Sequence, residues 1–395
     1  MTINSIAERF SEHLQKRREE HLYRQRPLAF SPQQPQMQIN GLQCINFCSN
    51  DYLGLANHPQ IKQRLIEALQ EEPISYGSGA AHLVTGHHLE HHLLEDEIAD
   101  WLGVQRVLLF STGFMANLAV LQTLAQKGDV ILGDKLNHAS LIDGALHSEA
   151  DFKRYPHLNM QALEKRLQQA QKNQQQAIIV TDGVFSMDGY LAPLEHIQAL
   201  AKSYQAWTVI DDAHGFGTLG KQGTGSLNHF GGSADENTVQ IGTLGKAFGC
   251  SGAFVAGSNI FIEALIQFAR PYIYTTATPQ LNAIAVRKAL QIVKTADKER
   301  QALQSRIQQF RQGANKIGVQ LWESSTAIQP IMLGDSATAM EWSEKLKQRG
   351  FWVAAIRPPT VPQGQARLRV TLSAAHTQAQ VEQLLRALND IKNTP

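Results

Sequence analysis

Three stretches of the sequence combine side chains that could do chemistry at one site. Asp211 and His214 come directly after an apolar run, and a buried carboxylate is costly unless a cation or good hydrogen-bond donors pair with it. Lys246 lies among glycines and apolar residues, and a lysine removed from water has a lowered pKa and can form a Schiff base. Residues 111–114 follow another apolar run and open an apolar helix, whose free N–H groups and dipole favour a bound phosphate.

A carboxylate for a protonated ring nitrogen, a Schiff-base lysine and a phosphate site are the three anchors of pyridoxal 5′-phosphate. Each feature alone has a simpler interpretation, as a satisfied core Asp, a surface Lys or a helix cap. Their order along the chain, each after a predicted strand, favours the cofactor.

The histidine-rich segment 82–92 offers a different chemistry. His87-x-x-Glu90-His91 matches the motif of inverted zinc peptidases, and on a helix His87 and His91 would lie one turn apart. No third ligand stands out downstream, and short motifs match by chance. We therefore expect no metal and keep a zinc hydrolase based on these three residues as a remote alternative.

The elements that must position the site alternate from about residue 100 onwards. Apolar runs separated by segments of helical period predict a mostly parallel sheet covered on both faces, and sites in such sheets lie beyond the carboxyl ends of the strands. The runs are residues 107–110, 130–132, 177–181, 208–210, 239–242 and 253–256.

The two ends of the chain have a different character. The spacing of Ile6, Phe10 and Leu14 predicts an amphipathic helix, and the Pro- and Gln-rich residues 27–38 predict a connector. Beyond about residue 285, helices over 281–316, 337–349 and 377–392 and strands over 330–333, 352–355 and 367–371 are expected. We predict an N-terminal helical segment (1–45), a large cofactor-binding domain (46–285) and a small C-terminal α+β domain (286–395).

Composition excludes several classes of protein. With 36 Lys+Arg against 35 Asp+Glu in 395 residues, the chain lacks the charge that binds nucleic acid or an anionic membrane. Its 3 cysteines cannot form a disulfide framework, and the N-terminus lacks the apolar stretch of a secretory signal. We expect a soluble cytoplasmic protein.

Six motifs in order make the chain resemble the α-oxoamine synthases, a family of pyridoxal-phosphate enzymes. The motifs are residues 46–54, 137–140, 182–189, 211–215, 243–246 and 356–362. The resemblance covers nearly the whole chain. It implies the aspartate-aminotransferase-like fold (type I of the pyridoxal-phosphate transferases), with a mostly parallel, seven-stranded sheet in the large domain.

The resemblance also implies residue roles. Lys246 would hold the cofactor and act as general base, Asp211 would pair with the ring nitrogen, and His138 would stack on the ring. The remaining implied cofactor contacts are Gly113, Phe114 and Thr243 at the phosphate, Ser186 and His214 near the ring hydroxyl, and Thr275 and Thr276 reaching the neighbouring subunit's phosphate. The implied substrate contacts are Arg24 and Arg357 for carboxylates, with Asn50, His138 and Thr360. An obligate homodimer with the active site at its interface is implied as well.

The motif at residues 356–362 is most similar to the family members of biotin biosynthesis. They condense L-alanine with a pimeloyl thioester and release CO2 and the free thiol. Whether the acyl carrier is coenzyme A or an acyl-carrier protein stays open. The alternatives within the family use other substrates, as glycine acetyltransferase, 5-aminolevulinate synthase and serine palmitoyltransferase do. An inactive scaffold is disfavoured by the intact Lys246, Asp211 and His138.

Overall fold

The computed structural model describes residues 5–20, 22–71 and 73–393, which form two compact units. The larger unit comprises Asn50–Ser186 and Tyr190–Gln301. The smaller unit comprises Met1–Ser49, Met187–Gly189 and Ala302–Pro395, as far as these residues are described. None of the described helices is long and apolar enough to cross a membrane.

A seven-stranded sheet forms the centre of the larger unit, as predicted. Every strand runs parallel to the others except Ala253–Gly257, which pairs antiparallel with both of its neighbours. From one edge to the other, the strands are Arg106–Phe110, Ala253–Gly257, Thr238–Thr243, Trp207–Asp211, Ala177–Asp182, Val130–Asp134 and Asp151–Tyr155. The carboxyl ends of the six parallel strands therefore meet at one edge of the sheet, where the predicted site segments begin.

The sequence did not predict the edge strand Asp151–Tyr155. Its residues Asp, Phe, Lys, Arg and Tyr are mostly exposed, and only Tyr155 is buried. Charged side chains are typical of an edge strand because they discourage pairing with another chain. The same charges remove the apolar run by which the inner strands were found.

Both faces of the sheet are covered, which explains the continuous apolar runs. The helix Gly113–Leu124 packs on one face through Ala116, Ala119 and Val120. The helices Met160–Lys172 and Leu194–Tyr204 belong to the core on the other face. Each fully buried Val, Leu or Ile contributes roughly 1.5–3 kcal/mol to folding, so these two cores hold the strand ends rigidly. The other helices of the larger unit are Pro59–Ala68, Leu89–Leu102, Ala139–Leu146, Ser226–His229, Asn259–Phe268, Arg270–Ile273 and Gln280–Thr295, with single turns at His82–Gly86 and Lys221–Gly223.

The smaller unit contains two three-stranded sheets. The hairpin Gln36–Ile39 and Leu42–Asn46 is extended by Phe351–Trp352, and Ala366–Thr371 lies between Ile328–Gly334 and Ala354–Ile356. The predicted strand 352–355 is therefore two short strands that break at Val353 and join different sheets. The helices are Ile6–Glu19, Ser336–Gln348 and Gln378–Asn393, and Asp297–Lys316 runs across the division between residues 301 and 302.

The compact units differ from the predicted domains at both ends of the chain. Residues 1–49 share a unit with the C-terminal region because the strand Leu42–Asn46 pairs in parallel with Phe351–Trp352. The helix Gln280–Thr295, which the predicted boundary at residue 285 would cut, lies wholly in the larger unit. The predicted connector 27–38 ends earlier than expected, because a strand begins at Gln36.

Candidate active site

Asp211 is the last residue of its strand and is buried. One carboxylate oxygen, Oδ2, accepts a hydrogen bond from Asn117 Nδ2 at 2.6 Å, and Oδ1 accepts the Ala213 N–H at 3.0 Å. Both donors are neutral, and no Lys or Arg in the described part of the chain forms an ion pair with Asp211. The Asp211 carboxylate is therefore hydrogen-bonded without a cationic partner, and a protonated ring nitrogen would supply one.

Asn117 connects this carboxylate to the helix Ala139–Leu146. Its amide nitrogen also donates to Ser140 Oγ at 2.7 Å, while its carbonyl oxygen is buried without a hydrogen-bond partner among the described residues. Such an orphaned acceptor beside a buried carboxylate suits a ligand that brings N–H or O–H donors. The residues present thus fit a protonated pyridine ring.

His138 caps the helix Ala139–Leu146 and is held by hydrogen bonds at its backbone and at its side chain. Its backbone N–H donates to Asp182 Oδ2 at 2.7 Å, and its Nδ1 lies 2.7 Å from Ser140 Oγ. Burial lowers the pKa of His138, and the charge of Lys246 lowers it further, whereas Asp211 acts in the opposite direction. The ring is therefore mainly neutral at pH 7, which suits stacking on a flat ligand.

Two buried carboxyl groups near Asp211, those of Asp182 and Asp212, have raised pKa values. Burial raises the pKa of Asp182 well above its usual range, and the nearby Asp211 adds to the effect. Burial likewise raises the pKa of Asp212 to about 7, although Oδ2 accepts the Ser226 N–H at 2.6 Å. Burial thus disfavours the charged form of both Asp182 and Asp212.

Lys246 follows the strand Thr238–Thr243 and ends a short hydrogen-bonded chain. Its Nζ lies 2.7 Å from His214 Nε2, and His214 Nδ1 lies 2.5 Å from Tyr52 Oη. Tyr52 is buried and also donates to Asn50 Oδ1 at 3.3 Å. The imidazole thus lies between the amine and the phenol, where it can hold a proton for either of them.

The N-terminus of the helix Gly113–Leu124 has the form of a phosphate site. Thr112 caps the helix by accepting the Met115 N–H at 3.2 Å. The first turn of a helix has no intrahelical acceptors for its N–H groups, so those of Gly113 and Phe114 point toward a ligand. Nothing lies within 4 Å of where a Cβ of Gly113 would stand, which leaves room for a phosphate.

The other predicted cofactor contacts occupy the larger unit. Thr243 Oγ1 donates to the Gly252 carbonyl at 3.2 Å and accepts the Gly245 N–H at 3.4 Å. Thr276 forms an isolated bridge with Ala81 and is exposed, as expected of a residue that would face another subunit. The roles of Ser186, Thr275 and Thr276 stay predictions, because a single chain does not test them.

The substrate-binding predictions fall on both units. Arg24 and Arg357 line one cavity of about 750 Å³ in the smaller unit, together with Arg18, Tyr23 and Met340. Burial lowers the pKa of Arg357, and the positive charge of Arg24 adds to the effect. Thr360 donates its N–H to the Arg357 carbonyl at 3.0 Å. Asn50 and His138 belong to the larger unit.

Sequence reasoning missed four residues of this network, namely Asn117, Ser140, Asp182 and Tyr52. Asn117 gave a signal, since it is a polar residue inside an otherwise apolar helix. Asp182 ends a strand just as Asp211 does, so the rule that found Asp211 applied to it as well. Tyr52 gave no signal, because its contact with His214 joins residues 162 positions apart.

The zinc-peptidase arrangement does not form. His87 precedes the helix Leu89–Leu102 instead of lying on it, so His87 and His91 are not one helical turn apart. The Glu90 carboxylate is bonded to Arg287 Nη1 at 2.6 Å and is thereby removed from the role of general base. The zinc-hydrolase alternative therefore has no support in the structure.

Comparison with known proteins agrees with this geometry. The chain matches the family described as aminotransferase class I and II over residues 43–388. It is 69% identical over 388 residues to the 8-amino-7-oxononanoate synthase of Hydrogenovibrio crunogenus (98% of this chain, 97% of that protein). It is 54% identical over 376 residues to the protein of the same name from Pseudomonas fluorescens (95% and 94%).

Solved structures show the same fold. Serine palmitoyltransferase of Sphingomonas wittichii superposes with a TM-score of 0.91 at 28% identity, covering 98% of each chain. 8-Amino-7-oxononanoate synthase from Francisella tularensis superposes with a TM-score of 0.77 at 32% identity, covering 88% of this chain and 98% of that one. The chain belongs to the aminotransferase class I and II family and, within it, to the 8-amino-7-oxononanoate synthases. The predicted family and fold class are confirmed.

Proposed function

We propose that this chain condenses L-alanine with a pimeloyl thioester to give 8-amino-7-oxononanoate, CO2 and a free thiol, a step of biotin biosynthesis. The observation that carries the proposal is the 69% identity over nearly the full length to an 8-amino-7-oxononanoate synthase. Pyridoxal 5′-phosphate is the cofactor of this enzyme family, and the site residues fit it.

Each anchor of the cofactor has a residue of this chain assigned to it. Lys246 would bind the cofactor aldehyde, Asp211 the ring nitrogen and His138 the ring face. The phosphate would lie at the N–H groups of Gly113 and Phe114 and the hydroxyl of Thr243, with Thr275 and Thr276 serving the neighbouring subunit. Ser186 and His214 would face the ring hydroxyl. When bound, the cofactor takes up the electron pair released when the amino acid loses its α-proton.

Side chains of the pocket would accept and hold the proton that leaves the amino acid. The Lys246 amine would serve as general base for the α-proton of the amino acid. His214, 2.7 Å from this amine, would hold the proton and orient Nζ. Asp211 would pair with the protonated ring nitrogen, and the two neutral donors from Asn117 and Ala213 hold the carboxylate in place without neutralising it.

The arginine cavity of the smaller unit supports binding of the substrate carboxylates. Arg24 and Arg357 line the same cavity, where their positive charges favour an anion, and Arg forms bidentate pairs with a carboxylate. Arg24 and Arg357 are therefore assigned to carboxylates, with Asn50 and Thr360 as further substrate contacts. Coenzyme A and an acyl-carrier protein both remain possible acyl carriers. A cytoplasmic homodimer with the active site at its interface completes the proposal.

Substrate choice tests the proposal. Purified holoenzyme is incubated with pimeloyl-coenzyme A or pimeloyl-acyl-carrier protein and with L-alanine, glycine or L-serine, and the products are identified by mass spectrometry. We expect 8-amino-7-oxononanoate from L-alanine, with little product from the other two amino acids. Faster turnover with glycine or L-serine would keep the family and assign the chain to the alternative activities. Comparing the two thioesters identifies the carrier.

A further inference from the structure

The histidine-rich segment, which the proposed function leaves unused, forms a compact cluster on the larger unit. His82 begins the turn His82–Gly86, His87 follows that turn, and His91 lies on the helix Leu89–Leu102. One ring nitrogen of each histidine lies within 4.8 Å of those of the other two. The sequence motif had grouped His87 and His91 with Glu90, whereas the fold replaces Glu90 by His82.

The spacing of the three rings is close to what one metal ion requires. The ring centroids are 5.3 Å apart for His82 and His87, 5.1 Å for His82 and His91, and 5.7 Å for His87 and His91. Three imidazoles bound tetrahedrally through metal–nitrogen bonds of about 2.0–2.1 Å have centroids roughly 5.2 Å apart and ligand nitrogens roughly 3.3 Å apart. The Nδ1 atoms of His82 and His87 are 3.0 Å apart. Small side-chain movements would therefore suffice.

The protonation state of the cluster also suits a metal. Burial and the neighbouring histidines lower the pKa of His82 to about 3, and burial lowers that of His91 to about 4. The pKa of His87 is lowered in the same way. All three imidazoles are therefore neutral at pH 7, and the neutral imidazole is the form that binds metal ions.

Three further contacts involve His82 and His91. His91 Nε2 donates to the Thr278 carbonyl at 2.8 Å, so the neutral ring keeps its lone pair on Nδ1, as metal-bound histidines commonly do. The His88 N–H donates to that Nδ1 at 3.1 Å and is the group that a metal must displace. His82 stacks on Tyr272 with centroids 5.4 Å apart and an interplanar angle of 11°, which fixes its ring.

We propose that His82, His87 and His91 bind one divalent transition-metal ion, with Zn²⁺ as the probe ion and water as the fourth ligand. Three imidazoles suit zinc, copper and nickel better than magnesium or calcium, which prefer oxygen ligands. A second trio, His87, His92 and Glu95, also lies within ligand distance. It is less suitable because burial raises the pKa of Glu95 to about 8 and its Oε1 accepts the Leu109 N–H at 2.9 Å.

Metal binding to the holoenzyme tests the proposal without relying on turnover. Full-length holoenzyme without an affinity tag is dialysed against Zn²⁺, and Co²⁺ is added in a parallel experiment. We expect one Zn²⁺ per chain and the visible absorption of tetrahedral Co²⁺ at wavelengths longer than the cofactor band. His87→Ala should weaken Zn²⁺ binding by at least about tenfold. His87 is exposed, so this substitution leaves the core intact.

Two matched variants make the result specific. His229→Ala removes another exposed histidine and should leave Zn²⁺ affinity within about twofold of the wild type. His82→Asn keeps a polar side chain at the partly buried position and should weaken binding as His87→Ala does. Equal Zn²⁺ affinity of His87→Ala and wild type would overturn the proposal. A loss in His92→Ala as large as that in His87→Ala would also overturn it, because it would assign the ion to the second trio.

Discussion

The lysine pocket (Lys246, His214, Asp211 and His138) and the histidine cluster (His82, His87 and His91) both gather ionisable side chains on the larger unit, but the chain builds them differently. In the pocket, Asp211 ends a parallel strand, and Lys246 follows another. In the cluster, the side chains come from one turn, the residue after it and the following helix. Strand ends of a buried sheet have fixed positions relative to one another, so the pocket could be predicted from the sequence. The geometry of the cluster depends on a local turn and could not.

The hydrogen bonds of the two regions differ as well. Asp211 and His138 are held by donors and acceptors from other strands and helices, at 2.6–2.7 Å in the closest cases. In the histidine cluster, one hydrogen bond joins two of the three members, His82 and His87, at 3.0 Å. His91 is held instead by the Thr278 carbonyl at 2.8 Å and by the His88 N–H at 3.1 Å.

Removing the amine should have the largest effect. Lys246→Ala deletes both the attachment point of the cofactor and the general base, so kcat should fall by about 10³-fold or more. Steady-state kinetics and the visible spectrum of the cofactor measure the two losses separately. Lys202→Ala, which removes an exposed lysine of the helix Leu194–Tyr204, is the matched control and should behave as the wild type. Near-normal turnover of Lys246→Ala would contradict the assigned role.

Removing the charge of the carboxylate while keeping its shape should have the next largest effect. Asp211→Asn leaves the ring nitrogen without its charge partner, so loss of the alanine α-proton should slow by roughly 100-fold. Exchange of that proton with solvent deuterium, followed by NMR, measures the step directly. Asp235→Asn, which changes a carboxylate that caps an exposed loop, serves as control. An unchanged exchange rate would refute the role of Asp211.

The cavity of the smaller unit that Arg24 and Arg357 line is a third site to compare with the lysine pocket and the histidine cluster. Arg357→Ala removes one guanidinium, and losing charge-assisted hydrogen bonds of about 1.5–3 kcal/mol should weaken binding of the substrate carboxylate by roughly 10- to 100-fold. Titration of the cofactor band with L-alanine gives the dissociation constant. Arg349→Ala, near the end of the helix Ser336–Gln348, controls for the loss of a positive charge elsewhere in the unit. An unaltered dissociation constant would argue against the assignment of Arg357.

Tyr52→Phe tests whether the contacts that run from Lys246 through His214 to Tyr52 affect turnover. Tyr52→Phe removes the hydroxyl 2.5 Å from His214 Nδ1 and keeps the ring in the core. Loss of the hydrogen bond to His214, worth about 0.5–1.5 kcal/mol, should reduce kcat by about two- to tenfold and shift the pH profile of kcat. The longer hydrogen bond to Asn50 Oδ1, at 3.3 Å, is lost with it. Tyr204→Phe, at a partly buried hydroxyl that donates to Glu164, is the matched control. A pH profile identical to that of the wild type would leave Tyr52 with a packing role alone.

His91 of the histidine cluster should make the free energy of unfolding depend on pH. The folded-state pKa of His91 is about 4, below the ordinary value of 6.5. As the pH falls below 6.5, His91 therefore becomes protonated in the unfolded chain but not in the folded chain. The contribution of neutral His91 to the free energy of unfolding is complete above pH 6.5 and is lost as the pH falls toward 4. His91→Gln should flatten the decrease of the urea midpoint between pH 6.5 and 4.5. An unchanged slope would show that His91 titrates normally.

The sequence predicted the sheet and its helices because each depends on a pattern along the chain. The residues assigned to the three cofactor anchors were chosen by their place after predicted strands, and their roles stay predictions. Continuous apolar runs revealed six of the seven strands, and the charged edge strand Asp151–Tyr155 escaped because it has no such run. The partners of Asp211 escaped for a different reason. Asn117 donates hydrogen bonds to Asp211 and to Ser140. These bonds form only when the two helices that carry Asn117 and Ser140 have packed on the same face of the sheet. Contacts of this kind depend on tertiary packing and leave little trace in local patterns.

We expect Lys246 and Asp211 to act together on the α-carbon of L-alanine. Exchange of the α-proton of L-alanine in deuterated water by the holoenzyme, without any acyl thioester, measures this step alone. We expect exchange by the wild type and by Lys202→Ala, much slower exchange by Asp211→Asn, and none by Lys246→Ala. Exchange by Lys246→Ala at the wild-type rate would show that Lys246 is not the general base.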